Sequence, residues 1–149
     1  MLEQVLNGLE RFSGRILGYD LTEAEISAFE DRVGRQIPQP LRSLLMEVNG
    51  ISFESPVHFD GRDVWCLQSL ESIESTLSTY GELLPHVLFP FLKTSADELI
   101  CLNVENGSVY SFSGYADGLG EFCTSLISPS ILDFVSAWHE VDPEIRARR

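Results

Sequence analysis

Bases are nearly missing from two thirds of this chain. Residues 43–145 hold Arg62 and Lys93 against 16 Asp and Glu, a segment charge of −14 in a protein whose net charge is −13. Such a surface repels DNA, RNA and anionic lipid and attracts basic partners, which excludes nucleic acid and membrane as binding classes. Long apolar runs are also missing: the longest, Val87 to Leu92, contains Pro90 and falls far short of the roughly 18 residues a membrane span needs. The start, Met1-Leu2-Glu3-Gln4, has no basic stretch leading into an apolar one, so no secretory leader is expected and the cytosol is the expected compartment.

Close-spaced metal ligands are absent too. The three cysteines, Cys66, Cys101 and Cys123, are odd in number and widely spread, which excludes a disulfide framework and leaves them as small buried apolar side chains. With His58, His86 and His139 they form no CxxC, HxxxH or HExxH spacing, so no metal site is expected. Gly118-Leu119-Gly120 could pass for a phosphate loop. It lacks a following Lys or Ser/Thr on a helix, and Asp117 and Glu121 flank it, so a plain loop is the better reading. No nucleophile motif stands out, and no catalytic residue or cofactor is expected.

What is present is a packed protein. With 149 residues, 44% of them apolar and 22% charged, the composition is that of a globular chain. Size scaling has such a chain bury roughly 69% of its extended surface, enough for a core without staples.

Leu2, Val5, Leu6 and Leu9 recur at helical spacing, and the pattern runs to Phe12 before Gly14, Gly18 and Asp20 break it. Thr22 and Glu25 have the spacing of a capping box, with Leu21 and Ile26 at the staple positions. A helix with Ile26, Phe29 and Val33 inward therefore starts at Thr22 and ends at Gly34. Ile37-Pro38-Gln39-Pro40 forms a rigid elbow into a second helix, whose stripe is Leu41, Leu44, Leu45 and Val48 and whose stop is Asn49-Gly50.

Beyond Gly50 the period shortens to that of strands: Val57–Phe59, Val64–Leu67, Val87–Phe91, Leu99–Val104 and Val109–Phe112. Asn106-Gly107 predicts a type I′ hairpin between the last two. Leu70, Ile73, Leu77 and Tyr80 predict an intervening helix. Ser128-Pro129 reads as the cap and first residue of a closing helix with Ile131, Phe134, Val135 and Trp138 inward. The expected fold is α+β, with N-terminal helices packed on a mostly antiparallel sheet and a closing C-terminal helix. One domain is expected over 1–149, with its core at about 20–141, an N-terminal helix in 1–18 and a frayed tail at 142–149.

These residues also form a recognisable string. Leu21-Thr22-Glu23-Ala24-Glu25-Ile26, Phe29-Glu30, Gly34, Ile37-Pro38, Leu41-Arg42, Leu44-Leu45 and Val48-Asn49-Gly50 resemble the N-terminal signature of the SUKH superfamily. That group includes yeast cell-wall-synthesis regulators of the Smi/Knr type and many bacterial toxin-immunity proteins. Phe89-Pro90-Phe91, Glu98-Leu99-Ile100-Cys101-Leu102, Gly107-Ser108-Val109-Tyr110 and Ile131-Leu132-Asp133-Phe134 resemble its central strand, hairpin and closing helix, so the likeness covers about residues 20 to 141. Before the central strand, similar proteins often carry a Gly-Asp pair; here the turn is Thr94-Ser95-Ala96-Asp97-Glu98 and keeps the acidic part alone.

The resemblance implies a non-catalytic α+β domain that works by binding a protein. In bacteria that partner is commonly an intracellular toxin such as a nuclease. Together with the charge this gives an expected immunity protein that occludes a basic toxin domain, itself a monomer or weak homodimer; the alternative is a regulatory or scaffold module binding the cell's own proteins. The candidate contacts are aromatics and acids near one another in the chain. Trp65 beside Asp60 and Asp63, with Glu54 nearby, reads first as a strand-core residue, since large aromatics are mostly buried, and is the candidate interface anchor if it faces out. Tyr115, Asp117 and Glu121 sit on a loop that a rigid scaffold could present, whereas Glu71 and Glu74 read as solvated helix surface.

Overall fold

The computed structural model describes residues 2–94, 98–113 and 123–140, with Glu82 and Glu140 described by their backbone alone. Helix α1 spans Leu2–Leu9, shorter than the apolar pattern that continues to Phe12. Phe12 is buried all the same, with its ring 6.2 Å from both Phe53 and Trp138. Gly14, expected as a breaker, opens a three-residue strand, β1 (Gly14–Ile16), whose fully exposed pattern carries no apolar alternation to betray it.

Helix α2 (Glu23–Val33) starts at the capping box. The Thr22 hydroxyl accepts from the Glu25 amide, and the Glu25 carboxylate accepts from the Thr22 amide, both at 3.2 Å. Gly34, at φ 68°, ends it in the left-handed region where a side chain would be strained. Helix α3 (Gln39–Glu47) follows the proline elbow, which the Glu30 carboxylate braces by accepting from the Ile37 amide at 2.8 Å and from Arg42 Nη1 at 3.0 Å. Ile26, Phe29, Leu41, Leu44 and Leu45 are all buried, and each such side chain contributes about 1.5–3 kcal/mol of burial.

The sheet runs in chain order, and all its pairings are antiparallel: β1, β2 (Ile51–Phe59), β3 (Arg62–Leu67), β4 (Leu88–Thr94), β5 (Leu99–Asn103), β6 (Val109–Ser113) and β7 (Cys123–Ser128). The two-residue β8 (His139–Glu140) pairs with the second half of β2, while β1 pairs with its first half. Helix α4 (Leu70–Tyr80) bridges β3 to β4, with Ser69 as its cap. β1, β7 and β8 were not expected from the sequence; the first four residues of β7 are all exposed, so it has no buried alternation to read.

Helix α5 (Ile131–Ser136) closes the fold, two residues later than Ser128-Pro129 implied. Ser128 still belongs to β7, and Ser130 is the cap, accepting from the Asp133 amide at 3.0 Å. Phe134 and Trp138 then meet Phe53, Phe59 and Phe91 edge-on at centroid distances of 4.7–6.2 Å, within one buried cluster that also takes in α1 to α4.

The 105–108 hairpin is present, but its turn is not type I′. Of its residues Gly107 alone has positive φ, at 77°, and the Asn103 side chain accepts from the Glu105 and Asn106 amides. That Asx turn lengthens the loop, which closes through the Gly107 amide to the Asn103 carbonyl at 2.8 Å. The cysteine expectation holds for Cys101 and fails for the other two: Cys66 is half-buried and Cys123 exposed. The first lies beside Lys93 on the partner strand, and the second on the sheet's last strand.

Candidate functional site

Period-two alternation sorts β2 into Phe53, Val57 and Phe59, which are buried, and Glu54 and His58, which are not. In β3 the buried residues are Val64 and Leu67, three apart, so one extra residue sits between them. The β3–β4 register shifts between Val64 and Cys66, and the β2–β3 register between Ser52 and Val57, both around Trp65. A bulge of this kind re-aims the inserted side chain. Trp65 is accordingly 49% exposed, which overturns the reading of it as a strand core residue.

The end of this hairpin is built by Asp60-Gly61. Both residues have positive φ, 46° and 77°, in a two-residue loop that leaves Phe59 opposite Arg62. This is where the type I′ turn conformation lies. The turn folds the Asp60 carboxylate back onto Arg62, whose Nη1 donates to Asp60 Oδ2 at 3.1 Å. The same guanidinium grips Glu98 with Nε to Oε1 at 2.6 Å and Nη2 to Oε2 at 3.3 Å. The Glu98 hydrogen bonds hold the guanidinium's pKa above its ordinary value, against the opposing pull of burial. Asp63 lies 3.2 Å from His58 Nδ1, and β8 brings the His139 ring within 5.1 Å of the His58 ring. A cleft of about 450 Å³ opens at this end, lined by Asp60, Arg62, Asp63, Thr94, Glu98 and Ser113.

The hairpin therefore carries four of the candidate residues along its length: Glu54 and Asp60 exposed, Asp63 half-buried on His58, and Trp65 half exposed. Tyr115, Asp117 and Glu121, with the Gly118–Gly120 loop, lie outside the described residues, as does the frayed-tail segment 142–149. Glu71 is solvated, but Glu74 is drawn into a two-pronged pair with Arg32 at 2.7 and 3.2 Å, which lowers its carboxyl pKa. Among the described residues no cluster of three His, Cys, Asp or Glu side chains could hold a metal, and no helix is long and apolar enough to cross a membrane.

Three parts of this site escaped sequence reasoning. Asp60-Gly61 between two strand runs carried the hairpin signal openly. The Arg62–Glu98 pair spans 36 residues, and the His58–His139 contact depends on a two-residue strand, so neither had a local signal. Chemically the hairpin offers an exposed indole and carboxylates.

The sequence profile of the SMI1 / KNR4 family (SUKH-1) matches residues 20–137, from the residue before the α2 staple to the residue after α5. No curated protein matches the chain.

Proposed function

We propose that this chain, which belongs to the SMI1 / KNR4 family (SUKH-1), is a cytosolic immunity protein that binds a cognate basic toxin domain and occludes it. The observation that carries the proposal is the unopposed acid of residues 43–145. Of their two bases, Arg62 is spent on Glu98 and Asp60, and Lys93 is half-buried, so little positive charge faces a partner from this segment. Many nuclease toxins are basic because they hold phosphate. An acidic inhibitor is steered onto such a surface, with association rates that reach about 10⁸–10⁹ M⁻¹s⁻¹ at low salt.

In this reading Glu54, Asp60, Asp63 and Trp65 are contact residues, joined by Tyr115, Asp117 and Glu121. The protein does no chemistry of its own and needs no metal or cofactor. Affinity purification from the native host, washed at low and then at high salt, tests it. The expected result is one stoichiometric basic protein, released by salt, whose toxic activity this chain suppresses. A spread of housekeeping partners, or a growth phenotype on deletion in cells free of toxin, would instead identify a regulatory module.

A further inference from the structure

Ile16, Leu17 and Tyr19 place three large apolar side chains in solvent within four residues, at 57%, 44% and 92% exposure. One such residue is ordinary on a surface; a run of them is a patch. The run is also held in place. The Leu17 amide donates to the Gly50 carbonyl at 3.0 Å, and the Gly18 amide to the Asn49 carbonyl at 2.9 Å. Buried Asn49 donates from Nδ2 to the Tyr19 carbonyl at 2.9 Å and accepts the Leu70 amide on Oδ1 at 2.8 Å. A Cβ on Gly18 would stand 2.3 Å from Asn49 Nδ2, so glycine lets the strap lie flat on that side chain.

Depressions open on both sides of the strap. One of about 410 Å³ lies between Tyr19, α2 and α4, and one of about 330 Å³ lies between Ile16 and α1. Their rims are acidic: Glu25, Glu71 and Glu74 on the first, Glu10 and Glu47 on the second. Arg32, also on the first rim, is committed to Glu74, while Arg15 is an exposed base beside Ile16.

We infer that the Ile16–Tyr19 strap is a preformed docking ridge for a basic protein surface, with Tyr19 as its aromatic anchor. The inference rests on the reading of the chain as a binder of a basic protein and names a surface for that binding. Folding gives little account of the patch, because its side chains stay largely in solvent, Tyr19 almost wholly. Binding gives one: a tyrosine whose backbone is already held has only two side-chain torsions to lose when it is covered. The acidic rims select the occupant. A second copy would set those rims against each other, an anionic membrane would be repelled, and Arg and Lys of a basic partner would be drawn in.

The test places the photo-reactive aromatic p-benzoylphenylalanine at position 19 or 65 of the full chain in cells of the native host. Position 19 is expected to crosslink one basic protein. Against that protein, once purified, Tyr19→Ala should weaken Kd about thirty-fold or more, with the circular dichroism and urea midpoint unchanged. Crosslinking from position 65 alone, or a Kd within about threefold of the parent for Tyr19→Ala, overturns the ridge and leaves the binding function standing. A crosslink from 19 to a second copy or to lipid overturns the assigned occupant. No protein partner at either position removes both the ridge and the function it rests on.

Discussion

Arg62 and Glu98 meet as fork and carboxylate across 36 residues of chain, with both side chains mostly withdrawn from solvent, at 22% and 16% exposure. The pair closes the end of the β2–β3 hairpin against the start of β5 and neutralises a base within an otherwise acidic segment. Replacing Arg62 by Met keeps the apolar stem of the side chain but leaves Glu98 and Asp60 facing each other without a counter-charge. The expected loss is about 1–3 kcal/mol of unfolding free energy, read by urea titration. Added salt should recover part of it, because what remains is repulsion between partly solvated carboxylates. A loss that salt does not touch would mean the guanidinium acts by packing alone.

Asn49 predicts a larger and salt-independent effect. Its side chain satisfies the Tyr19 carbonyl and the Leu70 amide from a buried position, so Asn49→Ala orphans one acceptor and one donor at once. About 2–3 kcal/mol should be lost. Amide exchange at Leu70, the first residue of α4, should speed up more than exchange at Phe29, whose environment is untouched. Equal acceleration at both sites would place the effect in global unfolding and not in the strap.

The two tryptophans separate packing from presentation. Trp138 is 1% exposed among Phe12, Phe53 and Phe134, so Trp138→Ala should cost about 3–5 kcal/mol. Trp65, half exposed at its bulge, should cost about 1 kcal/mol or less. Emission checks the assignment: the Trp65→Phe protein should fluoresce at shorter wavelength than its parent, because the surviving indole is the buried one.

The helical half of the protein was legible because its signals are local. Thr22 and Glu25 are three residues apart, Gly34 closes what they open, and Pro38 and Pro40 act on their immediate neighbours. The sheet was legible where one face is buried, as in Val64–Leu67, and illegible where it is not, as in β1 and β7. The site divides in the same way. The acids and Trp65 could be named from the sequence, but the outward turn of Trp65 needed register shifts against both neighbouring strands, the adjacent β2 and the more distant β4. At Asn106-Gly107 a local signal misled: the Asn103 side chain offered the backbone a competing turn, and the type I′ geometry lies at Asp60-Gly61 instead.

Thiol chemistry gives the last prediction, with its pH dependence fixed in sign. Burial pushes the Cys101 thiol far above its ordinary 9.0, and burial also raises Cys66, against a lowering pull from Lys93. The thiolate is the reactive form, so each upward shift removes nucleophile at a given pH, and enclosure adds to the protection. At pH 8 a maleimide should label exposed Cys123 first, Cys66 slowly, and Cys101 only at the rate of global unfolding. Raising the pH towards 9 should leave the Cys101 rate limited by opening. Stability should also decline above about pH 9, because thiols of the unfolded chain ionise there while buried Cys101 stays protonated. Peptide mapping after timed quenches resolves the three sites. Early labelling of Cys101 would mean that the β4–β5–β6 centre of the sheet opens far more readily than its burial implies.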